Sequence, residues 1–493
     1  MTLAERITQM SASKILRAAV DAFEQKFTSM CQISDMTLDK ADDALFSQLT
    51  ATLMEASQAA GTAGLTEYLQ HNDTIRPTIT HNGNRYRYKG TCPNEILTLF
   101  GTITIQRAMY YDEKNGGDYF FPLDNVLGLE KDDFATIDTR EMILFASASC
   151  VPRELAELLK KCSLCRPSRT AIQNIINRDG LTMESISEPL AQNVYDNLSA
   201  PKETKALVAS LDGVNVLLRE EGKKKGRKNQ RPTDNPEQVK TTSYHNAMVG
   251  AVSFYGIDNE NKSQRIRSIY TARMPEERAT EFKHDFERML KAAESKLVDI
   301  EITAKPIPRI LLTDGHLMIK GFAKDSQVLR PYEKLLDFFH ATEHLSKAAD
   351  AIYGEKSDLS RAFYNKWRGK LKTDPDAPAS ILRSIKGFRK RGSLTKSRKK
   401  ELETEITFFR KNRKLMKYSD FLQRGLPIGC GPIEAAAKTI VRQRMCRSGM
   451  SWSRDKGQYI LTIRAFVQSG LWKDAWEQFK MLKMSEIVYK RAA

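Results

Sequence analysis

The chain has 493 residues, 41% of them hydrophobic, and carries a net charge of +17. That length allows two to four domains with real cores, and the charge favours an acidic partner, nucleic acid being the commonest. An anionic membrane is the rival, but no run of about 18 apolar residues and no basic-then-apolar leader at Met1–Arg6 speaks for it, so a cytoplasmic, nucleoid-associated protein is expected. Seven dispersed cysteines, an odd number, fit reduced thiols better than a disulfide framework. The one close pair, Cys162 and Cys165, lacks the second pair that a structural zinc site needs.

Residues 1–75 carry apolar stripes at helical spacing (Ala18, Ala19, Ala22, Phe23, then Phe46, Leu49, Leu53, Met54) and predict a helical support or self-association region. Residues 76–135 change period. Thr78–Thr80, Tyr86–Tyr88 and Ile103–Arg107 alternate as strands, with a tight turn at Asn82-Gly83-Asn84. Residues 136–200 return to helix. A helix from Pro152, a short turn through Cys162–Pro167 and a second helix capped by Ser168 have the layout of a helix-turn-helix DNA reader or of a plain helical hairpin.

From about 205 strands and helices alternate. The first strand, Ala206–Leu218, buries an apolar run around a single acid, Asp212. A basic loop follows with Lys223, Lys224, Lys225, Arg227 and Lys228, expected to be mobile and to meet DNA. Strands near Tyr244–Tyr255 and Ile266–Tyr270 precede a long helix from Pro275 to Leu297 and a fourth strand that ends in Asp314. Residues 331–340 predict a short fifth strand or the entry to a helix. This order is that of a ribonuclease-H-like core over residues 201–344.

A helical insertion, 345–425, interrupts the core and offers Trp367, Leu371, Phe388, Phe408 and Phe409 for packing. Between Arg383 and Lys417 it holds fourteen Lys/Arg against three Glu, too one-sided for salt-bridged helices, so Arg389, Lys390 and Arg391 are candidate phosphate contacts. Residues 426–493 close the fold. Pro432 starts a helix with Glu434 in its first turn, expected to face inward beside Ile433 and Ala437. Lys438, Arg442 and Arg444 follow as further candidate DNA contacts.

A charge beside apolar surface is costly unless something pairs it. A divalent cation does so with hard oxygen ligands, and two such ions stabilise both the attacking and the leaving oxygen in an in-line displacement at phosphorus. Asp212 in the middle or at the exit of its strand, Asp314 at a strand's exit and Glu434 at a helix start, all distant in sequence, suit Mg2+ or Mn2+ and phosphodiester chemistry. His340, beside the same edge, is a candidate for the scissile region. His344 is expected to cap or to pair with Glu343.

The runs L-D-G-V at 211–214, L-L-T-D-G-H at 311–316, D-x-x-H at 337–340, G-C-G-P-I-E-A-A-A-K at 429–438 and R-M-C-R-S-G-M-S-W-S at 444–453 resemble the Mutator-like superclass of DDE transposases. More narrowly they are similar to bacterial insertion-sequence transposases of the ISKra and ISLre type, over residues 94–475. The resemblance implies Asp212, Asp314 and Glu434 as catalytic triad, Asp337 and His340 as accessory pair, and Trp452 either on a base near the cut or in the core. It further implies an enzyme that binds the element's inverted ends as a dimer or higher oligomer, cuts them with Mg2+ and joins them to target DNA. The chain departs from the pattern at Tyr110–Gly117, where relatives carry a cysteine pair, and at Cys446, where a lysine is expected. A transposase-derived DNA-binding protein without catalysis and a structure-specific nuclease are the alternatives.

Overall fold

The computed structural model describes residues 3–30, 43–73, 75–81, 83–112, 119–130, 133–219, 242–260, 262–303, 306–390, 394–429 and 431–492. The chain is mixed α/β and divides into two compact units, residues 1–182 with 479–493, and residues 183–478. Among the described residues no helix is long and apolar enough to cross a membrane.

In the first unit, helices α1 (Leu3–Met30) and α2 (Asp43–Asn72) pack on each other. An antiparallel sheet follows in the order β1 (Thr78–His81), β2 (Asn84–Thr98), β3 (Gly101–Asp112), β4 (Tyr119–Phe120). In the predicted β1–β2 turn Asn82 lies outside the described residues, and Gly83 takes a φ of +78° that suits glycine. β2 runs longer than its alternating core suggests because it continues through Pro93. Proline cannot donate to a ladder; β1 pairs only Asn84–Arg87, so at Pro93 the strand has one neighbour, β3.

Helices α3 (Pro122–Val126), α4 (Ile137–Ser147), α5 (Pro152–Cys162) and α6 (Arg169–Ser185) complete this part. As expected, the Ser168 hydroxyl caps α6, accepting the Ala171 N–H at 3.1 Å. Ile172, Ile175 and Ile176 turn inward. Cys165 is fully buried, which pushes its thiol up to about 11. Beneath α4 and α6 the Arg140 guanidinium, 1% exposed, donates to both oxygens of Asp179 (Nε–Oδ2 2.8 Å) and to Asp133 at 3.3 Å, and Arg178 pairs with Asp133 as well.

The second unit opens with α7 (Ser187–Asp196) and is built on a five-stranded sheet. Its strands are β5 (Ala206–Arg219), β6 (Thr242–Ile257), β7 (Ser263–Arg273), β8 (Arg309–Thr313) and β9 (Glu333–Leu336), in the order β7-β6-β5-β8-β9. The first three are antiparallel; β8 and β9 run parallel to β5. Ala206–Leu211 are all buried, as suits a central strand covered on both faces. The long helix after β7 starts later than Pro275: Arg278 and Ala279 adopt left-handed φ of 54° and 52°, so regular helix begins only with α8 (Thr280–Ser295). Short helices α9 (Val298–Thr303) and α10 (Leu317–Asp325) flank β8.

Both readings of residues 331–340 hold. β9 ends at Leu336, and Asp337 caps the next helix by accepting the His340 N–H at 2.7 Å. Helices α11 (Phe338–Tyr353), α12 (Asp358–Thr373), α13 (Ala377–Lys390), α14 (Lys396–Asn412) and α15 (Tyr418–Gln423) pack round Trp367, Leu371, Leu402 and Phe409. The excursion closes where the Phe338 N–H donates to the Ile428 carbonyl at 3.0 Å. The chain then forms α16 (Gly431–Ala436), one stretch of π-helix (Ala437–Arg442), α17 (Gln443–Met445), α18 (Arg454–Gln468) and α19 (Trp472–Ala492).

Candidate active site

Strand register brings the first two acids side by side. Ser210 pairs with Leu312 between parallel β5 and β8, and Thr313 pairs with Leu336 between β8 and β9. Two residues on from the first pair stand Asp212 and Asp314; one residue on from the second stand Asp314 and Asp337. Three carboxylates thus occupy consecutive positions across the edge where β8 and β9 end, on strands about 4.8 Å apart. β5 continues beyond Asp212 with only β6 as ladder partner, from Asp212–Val249 to Arg219–Thr242. The loop holding Trp452 closes its far end: the Trp452 N–H donates to Leu217 O and the Arg219 N–H to Trp452 O.

Local backbone donors fix each acid. The Gly213 N–H donates to Asp212 Oδ1 and the His316 N–H to Asp314 Oδ1, both at 2.7 Å. Gly315 makes the second turn possible: its φ is +85°, and a Cβ there would meet Leu336 and Asn412 at 3.1 and 3.2 Å. Asp337 is fully buried as the α11 cap. Glu434 differs from expectation. Ile433, Ala436 and Ala437 take the core, and Glu434 is exposed in the first turn of α16.

The acids feel one another. Burial pushes the Asp212 carboxyl above its ordinary range; the Gly213 N–H opposes this, Asp314 adds to it, and Arg442 and His340 oppose it. The Glu434 carboxyl is pushed up by surrounding protein, then by Asp337, Glu343 and Asp212. Among the described residues no three His, Cys, Asp or Glu side chains stand close enough together to hold a metal ion. The donor chemistry nevertheless fits one. All the groups are hard oxygens, and their mutual repulsion is what a divalent cation relieves.

The π-helix next to Glu434 breaks the regular ladder, and such segments recur at functional sites. Its carbonyls are satisfied from beneath: Arg464, 4% exposed, donates through Nε to Ile440 O at 2.7 Å and through Nη2 to Thr439 O. Burial lowers this guanidinium to about 10. The histidines divide. His340, half-buried, has Nδ1 3.7 Å from Glu343, whereas His344 does not pair with Glu343 as expected but bonds Glu405 at 2.6 Å and stacks on Phe408 at 3.5 Å.

Of the candidate DNA contacts, Lys438, Arg442 and Lys390 are exposed. Arg389 is exposed but engaged with Glu403 at 2.8 Å. Lys223, Lys224, Lys225, Arg227, Lys228 and Arg391 lie outside the described residues. Arg444 is corrected: it is 2% exposed, its guanidinium 5.1 Å from the Trp452 ring centroid, so it braces the loop from inside. Trp452 is half-buried, its indole N–H donating to Met445 O at 3.0 Å, which supports the packing alternative.

A cationic site went unread in the sequence. Lys320, Lys324, Arg330, Lys334, Lys411 and Lys414 line a cavity of about 510 Å3 that reaches Thr313, next to Asp314. Among the described residues no carboxylate lines it. Its cations come from four separate stretches of chain, so no local charge run marks them as one group. Only the excess of Lys/Arg in the insertion pointed that way.

A family model described as "Uncharacterised protein family (UPF0236)" matches residues 40–231, which include Asp212 but neither Asp314 nor Glu434. No curated protein matches this chain. Among solved structures it is similar to the "Drosophila P element transposase strand transfer complex", at 12% identity over 72% of this chain and 83% of that one, with a TM-score of 0.25. So distant a likeness fixes neither fold nor activity.

Proposed function

We propose that the chain is a metal-dependent enzyme that cuts and joins DNA strands, a DDE transposase of the Mutator-like kind on a ribonuclease-H-like core with an all-helical insertion. The observation that carries this is the edge of acids: Asp212, Asp314 and Asp337 in register across three parallel strands where β8 and β9 end, with Glu434 close enough for Asp337 and Asp212 to raise its carboxyl. The strand order β7-β6-β5-β8-β9 supports the core assignment. Asp212, Asp314 and Glu434 would hold Mg2+ or Mn2+, which supplies charge stabilisation to the attacking and leaving oxygens of a phosphodiester.

The chain's own residues do the rest. Gly213 and His316 N–H groups pin one oxygen of each aspartate, fixing where negative charge is offered. Asp337 caps α11, and in doing so holds His340 at the same edge. Arg442, Lys438 and the six-cation cavity bind phosphates on either side. The helical hairpin α5–α6, with Arg169, Thr170 and Asn174 exposed along α6, is the reader of element ends, and the protein works as a dimer or larger assembly on DNA.

The test is cleavage and strand transfer on the element's own ends with Mg2+ or Mn2+. Asp212→Asn and Glu434→Gln each lower cleavage by at least about 10²–10³-fold, the scale for removing one preorganised electrostatic group, while DNA affinity stays within about twofold. Loss of binding together with cleavage overturns these roles. A second reading, a DNA-binding protein without catalysis, is favoured by the exposure of Glu434 and the open spacing of the acids. It predicts wild-type binding with no cutting under either ion.

A further inference from the structure

A second cavity, of about 540 Å3, lies against the first turn of α11 and is lined by Phe338, Phe339, Arg368, Lys372, Leu422 and Leu426, among others. Its size falls within the roughly 300–1,000 Å3 of small-ligand sites. Phe338 is buried, but Phe339 is 53% exposed and Leu422 42%. Arg368 and Lys372 stand one turn apart on α12 and so share a face. Both cations lie over the Phe338 ring, 5.7 and 5.2 Å from its centroid, which fixes their stems at the cavity. Lys262 also lines it and pairs with Glu260. Among the described residues no carboxylate lines this cavity either.

The cavity adjoins the acids. A Cβ on Gly429 would come within 2.8 Å of the Phe339 ring and 3.8 Å of Asp337 Oδ2. The bare backbone of Gly429 therefore separates the exposed ring from the buried carboxylate, a short step along the chain ahead of Glu434.

We propose that this cavity receives one unpaired nucleotide of a DNA strand crossing the acid edge, its base stacked on Phe339 and its phosphate held by Arg368 and Lys372. The inference rests on the strand-processing reading above. An exposed aromatic face flanked by cations without acids is the pairing that binds single strands, and a base inside a duplex offers no free face to it. An acidic peptide would satisfy the cations but leave the ring without a partner.

The test uses full-length protein carrying Asp212→Asn, so that the oligonucleotide stays intact, and a duplex with a 3′ overhang in which 2-aminopurine is moved one position at a time. Binding quenches the fluorophore at one overhang position. Phe339→Ala abolishes that quench and weakens overhang binding by roughly 5–150-fold, the cost of leaving one base unstacked. Phe339→Trp keeps both. Arg368→Gln with Lys372→Gln keeps the quench but flattens the salt dependence. Affinity for a blunt duplex moves less than about twofold throughout. A quench that survives Phe339→Ala, equal weakening of blunt and overhang substrates, or displacement of the overhang by poly-glutamate at equal charge overturns the proposal. If Phe339→Ala changes nothing while the enzyme with Asp212 intact still cuts DNA, the cavity proposal alone fails; if no DNA is bound at all, the functional reading fails with it.

Discussion

Asp133 and Asp179 are shut inside the first unit against Arg140 and Arg178; Asp212 and Glu434 in the second have other acids among their neighbours. In the first group every buried charge meets an opposite one at hydrogen-bond distance, and the guanidinium of Arg140 is held charged chiefly by Asp179 against the cost of burial. In the second, burial and neighbouring carboxylates push both carboxyls up. The first arrangement neutralises its interior charges. The second leaves like charges facing one another, and the proposed metal would relieve that repulsion.

The sharpest way to break this comparison is to remove one partner from the neutralised group. Arg140→Met takes the two-point partner from buried Asp179 and leaves Asp133 with Arg178 alone; it lowers stability by about 3–5 kcal/mol, read as a fall in the urea midpoint of the first unit's transition. A fall of less than about 1 kcal/mol, the scale of an exposed pair, would place the two groups on the same footing. Arg464→Met is next. It leaves the carbonyls of Thr439 and Ile440 without that donor and costs about 1–3 kcal/mol. Metal-dependent cleavage falls further than unfolding accounts for if the π-helix orients Glu434.

The cationic cavity extends the comparison to the opposite sign. Lys411→Gln with Lys414→Gln lowers the slope of log affinity against log salt by up to about 1.8, or about 0.9 for each phosphate no longer neutralised. An unchanged slope would mean these lysines meet no phosphate. The smallest effect has the most telling sign. A carboxyl held above its ordinary range binds its proton more tightly folded than unfolded. It therefore adds stability at acid pH and loses it as pH rises through the raised value. Asp212→Asn, without metal, should raise the melting temperature at neutral pH, and the gain should vanish once the wild-type carboxyl is protonated. A variant less stable than wild type at neutral pH would show that Asp212 is a structural acid after all.

Much of the second sheet was legible because its strands announce themselves. Ala206–Leu211 and Ile310–Thr313 are mostly apolar and buried on both faces, and the lone acid that follows each run needs explaining. Asp212 and Asp314 follow from that pattern together with parallel register. Glu434 was legible as a helix-start acid but not in its facing, since Ile433 and Ala437 bracket it on the chain while Ala436 completes the buried side. Arg444 read as a surface cation because its cover, Trp452, lies in a loop that joins β5 only through backbone pairing. Phe339 gave no signal and the lysines of the cationic cavity only a general charge excess, because their grouping depends on helices the insertion folds back against the sheet.

The bond from Phe338 to Ile428 has a wider meaning. A long excursion departs from the end of β9 and comes home to a point one peptide group away, so its ring is sealed at the neck. Whatever happens inside it, whether helices lengthen, shorten or change their charge, the spacing between Asp337 and the segment leading to Glu434 is set at that neck. The body of the excursion can therefore be remodelled through evolution without disturbing the distance between Asp337 and the segment that carries Glu434.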